Sequence, residues 1–169
     1  MGLSLEELDG AERRFGFQFL PEHRDFLRLH LPVGPGWPDW RRGESTQLAR
    51  SLTWPVDSAL FDVRNDEFWL RTWGTRPVGE TEAMAVARRQ LEAMPKLVPV
   101  YGHRYVPALP APSPAPVFSV YQTDVIYYGN DLADYIDHEF GITKPWKPQP
   151  SVRIPFWSDL AKSAQSEGL

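Results

Sequence analysis

The amino-acid sequence predicts a single α+β domain, a mostly antiparallel sheet packed against helices. Three observations predict it. The 169 residues are an ordinary length for one domain and are enough to bury a core without disulfides or metal. Helical patterns come first along the chain. Short strand-like runs punctuated by Gly and Pro then cluster between Leu97 and Tyr128, ahead of a capped helix. That order suits an antiparallel sheet rather than a βαβ series.

Ser4-Leu5-Glu6-Glu7 has capping-box spacing, with Ser at the cap and Glu three residues later. Leu5, Leu8 and Phe15 share a helical stripe that Glu12 interrupts, and Gly16 can close the helix in a left-handed cap. Pro21 suits the first position of a second helix. Phe26, Leu27 and Leu29 are its expected buried side, and Pro32 stops it. The Pro-, Gly- and Trp-rich stretch from Pro32 to Trp40 reads as a loop anchored on the core by Trp37 and Trp40. Arg41 to Leu52 is ambiguous and has room for a short helix. Asp57 to Trp69 has no clear period, although Leu60, Phe61, Val63, Phe68 and Trp69 are expected inside.

Thr81 to Met94 is a clearer helix, with Met84, Ala87, Leu91 and Met94 at helical spacing and Pro95 at its end. Leu97 to Tyr101 reads as a strand. Pro99 donates no ladder hydrogen bond, so this strand is expected at an edge or with a bulge. Gly102 and His103 turn the chain into Arg104 to Pro107. Prolines 110, 112, 114 and 116 keep the next stretch extended and stiff. Val117 to Tyr121 and Val125 to Tyr128 are two further strands joined by Gln122-Thr123-Asp124. Asn130 or Asp131 caps a helix through Phe140, with Leu132, Ile136 and Phe140 inward and Gly141 as the stop. After a Pro-rich connector, a last short helix starts at Ser158 and carries Leu160. Residues 1–143 are therefore read as the α+β domain, and 144–169 as a connector and helix packed on it.

Composition excludes several functions. With no cysteine, disulfides, thiolate metal sites and cysteine nucleophiles are ruled out, and a reducing cytoplasm is the expected setting. The N-terminus has no basic-then-apolar leader, and no apolar run approaches the roughly 20 residues that span a bilayer. A soluble chain with no membrane association is expected. The net charge of −4 argues against a nucleic-acid partner. No cofactor is expected.

Few residues carry a chemical signature. His103 and Arg104 form a possible polar cluster, since His exchanges protons near neutral pH and Arg grips carboxylates bidentately. Neighbouring strand positions point to opposite faces, however, so Arg104 also fits a structural role, bonding a carbonyl or pairing with Asp124. The four histidines show no metal-ligand spacing, and adjacent His138 and Glu139 diverge on a helix. Ser119 lacks a nucleophile elbow. Gly34-Pro35-Gly36 lacks the Lys-Ser or Lys-Thr of a phosphate loop. No metal site and no catalytic residue is assigned.

Aromatic content stands out, at seven Trp, six Tyr and nine Phe. Most belong in a core. Trp37, Trp40, Trp54, Trp73, Tyr127 and Tyr128 are candidates for a contact surface, because Trp and Tyr anchor interfaces. Between Arg104 and Lys144 there is no Lys or Arg, whereas Asp124, Asp131, Asp134, Asp137 and Glu139 all fall there. Asp131 and Asp134 suit a first helical turn. Asp124, Asp134 and Asp137 are the candidate partner-binding acids, where complementary charge speeds encounter with a basic protein.

Phe17-Gln18-Phe19-Leu20-Pro21-Glu22-His23-Arg24-Asp25-Phe26-Leu27 is followed later by Leu-Val-Pro-Val-Tyr-Gly-His-Arg-Tyr, Pro-Val-Phe-Ser-Val and Asp-Val-Ile-Tyr-Tyr-Gly. In this order the segments resemble the SUKH superfamily (SMI/KNR type), over roughly Leu3 to Phe140. The family's Gly-Asp-rich turn is replaced here by Pro110 to Pro116. The resemblance implies an α+β domain that binds proteins without chemistry of its own. It points to a bacterial immunity protein neutralising a cognate toxin, with nucleases among the toxins such proteins meet. A regulatory scaffold of the same fold is the alternative. A small-molecule enzyme is a third reading, and it requires a deep pocket joining His103, Arg104 and a carboxylate.

Overall fold

The computed structural model describes residues 1–42, 46–141 and 146–167. The chain forms a single α+β domain. Six α-helices and one antiparallel sheet are seen among the described residues.

Helix α1 (Leu5–Phe15) begins at the expected capping box: Glu7 N donates to Ser4 Oγ at 3.1 Å, and Ser4 N donates to Glu7 Oε2 at 2.8 Å. Gly16 closes it at φ 64°, a left-handed conformation that glycine adopts without steric cost. Helix α2 (Pro21–Leu29) starts on its proline. Its inward side is His23 and Leu27, whereas Leu29 is exposed, a correction to the expected stripe. Arg24 ties the two helices together through Asp9 and through Glu12 at 2.8 Å.

The ambiguous region resolves into one long helix, α3 (Thr46–Asn65), which runs through Pro55. Proline inside a helix removes the hydrogen bond to the carbonyl four residues earlier, here Ser51. That carbonyl is served from outside the helix, because Tyr105 Oη donates to Ser51 O at 2.9 Å. Phe61 lies on the outer side of α3 and is exposed, not interior as expected. A 3₁₀ turn (Arg71–Trp73) leads to α4 (Glu80–Glu92), which buries Ala83, Ala87 and Leu91.

The sheet has order β1-β2-β3-β4, with β1 (Leu97–Tyr101), β2 (Arg104–Pro107), β3 (Val117–Tyr121) and β4 (Asp124–Gly129). Pro99 sits on an edge strand beside a register shift, so both expected accommodations occur together. One sheet face supplies Leu97, Tyr105, Phe118, Val120, Val125 and Tyr127 to the main core, where they meet α3, α4 and the final helix α6 (Trp157–Glu167). Val100, Val106 and Val117 form another cluster with Leu132 and Tyr135 of α5 (Leu132–Phe140). Asp131 caps α5, accepting from Asp134 N at 2.8 Å. Its buried residues are Leu132, as expected, and Tyr135, whereas Phe140 is exposed, a correction to the expected stripe.

Polar side chains fasten the connections. Ala115 N donates to Glu22 Oε1 at 3.1 Å, holding the Pro-rich segment against α2. Asp62, buried on α3, accepts from both Thr123 N, at 2.8 Å, and Thr123 Oγ1. It thereby fixes the β3–β4 turn, where Gln122 adopts φ 59°. Asp62→Ala should cost about 1–2 kcal/mol by stranding the half-buried Thr123 amide, and chemical denaturation measures this directly.

The C-terminal segment enters the main core through Ile154, Phe156, Trp157 and Ala161. Trp157 Nε1 also donates to Pro95 O at 2.7 Å. The boundary expected at 143/144, with Pro145 of the connector, lies outside the described residues.

Candidate functional site

Two β-bulges build the most distinctive surface. In the β1–β2 pair, Pro99 faces Tyr105 and Tyr101 faces Arg104, leaving Val100 unpaired. In the β3–β4 pair, Val117 faces Gly129 and Phe118 faces Tyr127, leaving Tyr128 unpaired. A bulge re-aims the side chains around it. Here Tyr101 becomes the cross-strand neighbour of Arg104, and Tyr128 lies under the guanidinium, with Arg104 Cζ 3.8 Å from the ring centroid. Such a cation–π contact is worth about 0.5–2 kcal/mol, depending on desolvation.

The contacts of Arg104 among the described residues are His103, Ser119 (Nη1 to Oγ, 3.4 Å) and Tyr128. None is a carboxylate, and its buried Nε has no hydrogen-bond acceptor. Partial burial, then the Arg104 charge, holds His103 below its ordinary 6.5, while Glu139 acts the opposite way. The Tyr135 hydroxyl is buried beneath this group without a hydrogen-bond partner, and burial raises its pKa.

Beside Arg104 lies a cluster of three rings. Trp37 is stacked on Phe140 at 5.3 Å, Tyr101 meets Trp37 at 4.9 Å, and Tyr101 meets Phe140 edge-on at 5.3 Å. The loop carrying Trp37 approaches so closely that a Cβ on Gly36 would lie 2.6 Å from the Tyr101 ring, and Gly36 has φ 87° besides. On the other side, Tyr128 meets His138 at 5.6 Å, and His138 stacks on Trp146 at 5.2 Å. The result is a row of half-exposed aromatic rings on strands, α5 and the segments that carry Trp37 and Trp146, centred on one arginine. Chemically it can cover apolar groups and donate hydrogen bonds to a carbonyl or carboxylate.

The expected contact residues divide. Trp37, Tyr128, His103 and Arg104 come together in this row. Trp40 is only 4% exposed, enclosed by the rings of Phe17, Phe19 and His23. Tyr127 is equally buried, facing Phe118 on the core side of the sheet. Trp73 is buried as well. These three are core residues and not contact anchors. Trp54 is partly exposed near Tyr121, away from the row, with Nε1 donating to Val120 O.

The acids do not converge either. Asp124 and α5 lie at opposite ends of β4, roughly 17 Å apart at strand rise. The carboxylate of Asp134 is engaged internally, accepting from Asn130 N and Trp146 Nε1, each at 2.8 Å. Asp137 is exposed on α5. Arg104 is not paired with Asp124. Sequence reasoning missed Tyr101, Phe140, His138 and Trp146; the one available signal was Pro99, which marks the bulge beside Tyr101.

Among the described residues, the groove next to His103 is lined by Thr46, Gln47, Arg50, Ser51, Trp54, Gly102 and Tyr105, none of them a carboxylate. Among the described residues, no group of three or more His, Asp or Glu is placed to hold a metal ion, and no helix is long and apolar enough to cross a membrane. Comparison with protein-family models finds no match to this chain, and neither do comparisons with curated proteins and with solved structures.

Proposed function

We propose that this chain is a non-catalytic protein-binding domain of the immunity type, acting in the cytoplasm by occluding a toxin partner. The observation that carries the reading is the row Trp37–Tyr101–Phe140 beside Arg104–Tyr128. Aromatic residues and arginine dominate binding hot spots, particularly where a rigid scaffold spares them ordering entropy. Here strands, bulges and α5 hold the rings in place before any partner arrives. Asp137 and Glu139 at the rim match a basic partner and favour fast encounter. The toxin assignment rests on the SUKH resemblance of the sequence.

The test is calorimetric titration with the toxin encoded beside this gene. Trp37→Ala and Tyr128→Ala should each weaken binding about 30-fold or more, the hot-spot threshold. Phe61→Ala, on the outer side of α3, should bind as the wild type does. Asp137→Lys should mainly slow association and flatten its salt dependence. Asp134→Lys is the poorer probe, because it also breaks the bonds to Asn130 and Trp146. Unchanged affinity in both aromatic variants would remove this face from the mechanism.

A further inference from the structure

A separate groove of 530 Å³ lies where the end of α1, the middle of α3, α4 and the start of β1 meet. Its size is in the range of ligand-binding clefts, roughly 300–1,000 Å³. The floor is apolar: Leu52, Val56, Leu91, Leu97 and Trp157. Leu91, Leu97 and Trp157 are otherwise fully enclosed, so the groove reaches the main core.

The rim is charged unevenly. Arg88 is neutralised by Asp57 at 3.2 Å and Glu92 at 3.5 Å. At the α1 end, Arg14 is in no ion pair among the described residues. Lys96 Nζ donates to two carbonyls, Phe15 O at 3.0 Å and Gly16 O at 3.3 Å, and among the described residues it meets no carboxylate. An ammonium has three donors, so one is left over. Among the described residues, two cations without counter-charges therefore stand beside an apolar trough whose own acids are already paired.

We propose that this groove binds a small amphipathic acid, an apolar chain or ring system bearing one carboxylate. The apolar body covers Leu52, Val56, Leu91 and Trp157, and the carboxylate sits between Arg14 and Lys96. A neutral apolar ligand leaves those cations unanswered.

Decanoate below its micellar concentration is the probe, titrated calorimetrically against the intact protein. Saturable one-to-one binding is expected, at least tenfold tighter than decan-1-ol. Arg14→Gln should bring the two ligands near parity. Leu52→Trp, which fills the trough, should abolish binding while thermal melting shows a folded protein. The proposal is overturned by absence of saturable binding, by equal affinity for decanol in the wild type, by full decanoate affinity in Arg14→Gln, or by wild-type affinity in a folded Leu52→Trp.

Discussion

Tyr105→Ala should destabilise the protein by about 4–6 kcal/mol, comparable with the whole margin of a small domain. Two losses combine. The ring is 1% exposed, at the centre of the main core. Emptying a site of that kind costs about 3–5 kcal/mol. The hydroxyl is the partner of the Ser51 carbonyl released by Pro55, at 2.9 Å. Ser51 is only half-buried, so stranding its carbonyl costs about 1 kcal/mol more. Tyr105→Phe isolates the second loss, readable as a shift in denaturation midpoint at constant slope. Pro55→Ala returns an N–H to α3 that can reach Ser51 O. In that background, Tyr105→Phe should cost distinctly less. Equal costs in both backgrounds would separate the tyrosine from the proline.

Acid should destabilise the protein through His23. This side chain is buried against Phe19 and Trp40, and desolvation lowers its pKa from 6.5 to about 3. Between those values the unfolded chain binds a proton that the native state refuses. Stability therefore rises with pH through this window and is lost as pH falls below 6.5. The slope approaches about 1.4 kcal/mol per pH unit. His23→Leu, close in volume and without a proton to bind, should flatten the stability curve between pH 6.5 and 5, above the range where ordinary carboxylates titrate. Urea denaturation at several pH values measures both curves. Identical slopes for wild type and variant would show that His23 is protonated without penalty in the native state.

Local chemistry was legible wherever it decided the structure. The Ser4–Glu7 box, Gly16, Pro21 and Asp131 set helix ends through their own backbone and side-chain bonds, and the structure places those ends there. The Gly- and Pro-punctuated strands were equally plain. Helix α3 was not, because Pro55 reads locally as a helix breaker, and the donor to the Ser51 carbonyl it frees is Tyr105, fifty residues from Pro55 in sequence. Burial of single aromatics was also hidden. Tyr127 and Tyr128 are neighbours on one strand, so one must face the core, but which one depends on register with β3 and on the bulge. Phe140 fits the inward stripe of α5 by spacing, yet Tyr135 takes the enclosed position and Phe140 joins Trp37 outside. The site was thus half visible. Its residue types were identifiable, but their assembly required two register shifts, and only the one beside Pro99 carries a local mark.

Trp157 is the residue that seals the main core, and it arrives late. A ribosome must deliver everything through Ala161 before α6 can close over β4. Until then the nascent sheet shows Phe118, Val125 and Tyr127 to whatever chaperone is at hand. A message cut short ahead of Ile154 therefore yields no shortened but complete domain. It yields a chain whose apolar sheet face is left uncovered, so the fold is completed only once α6 has been made.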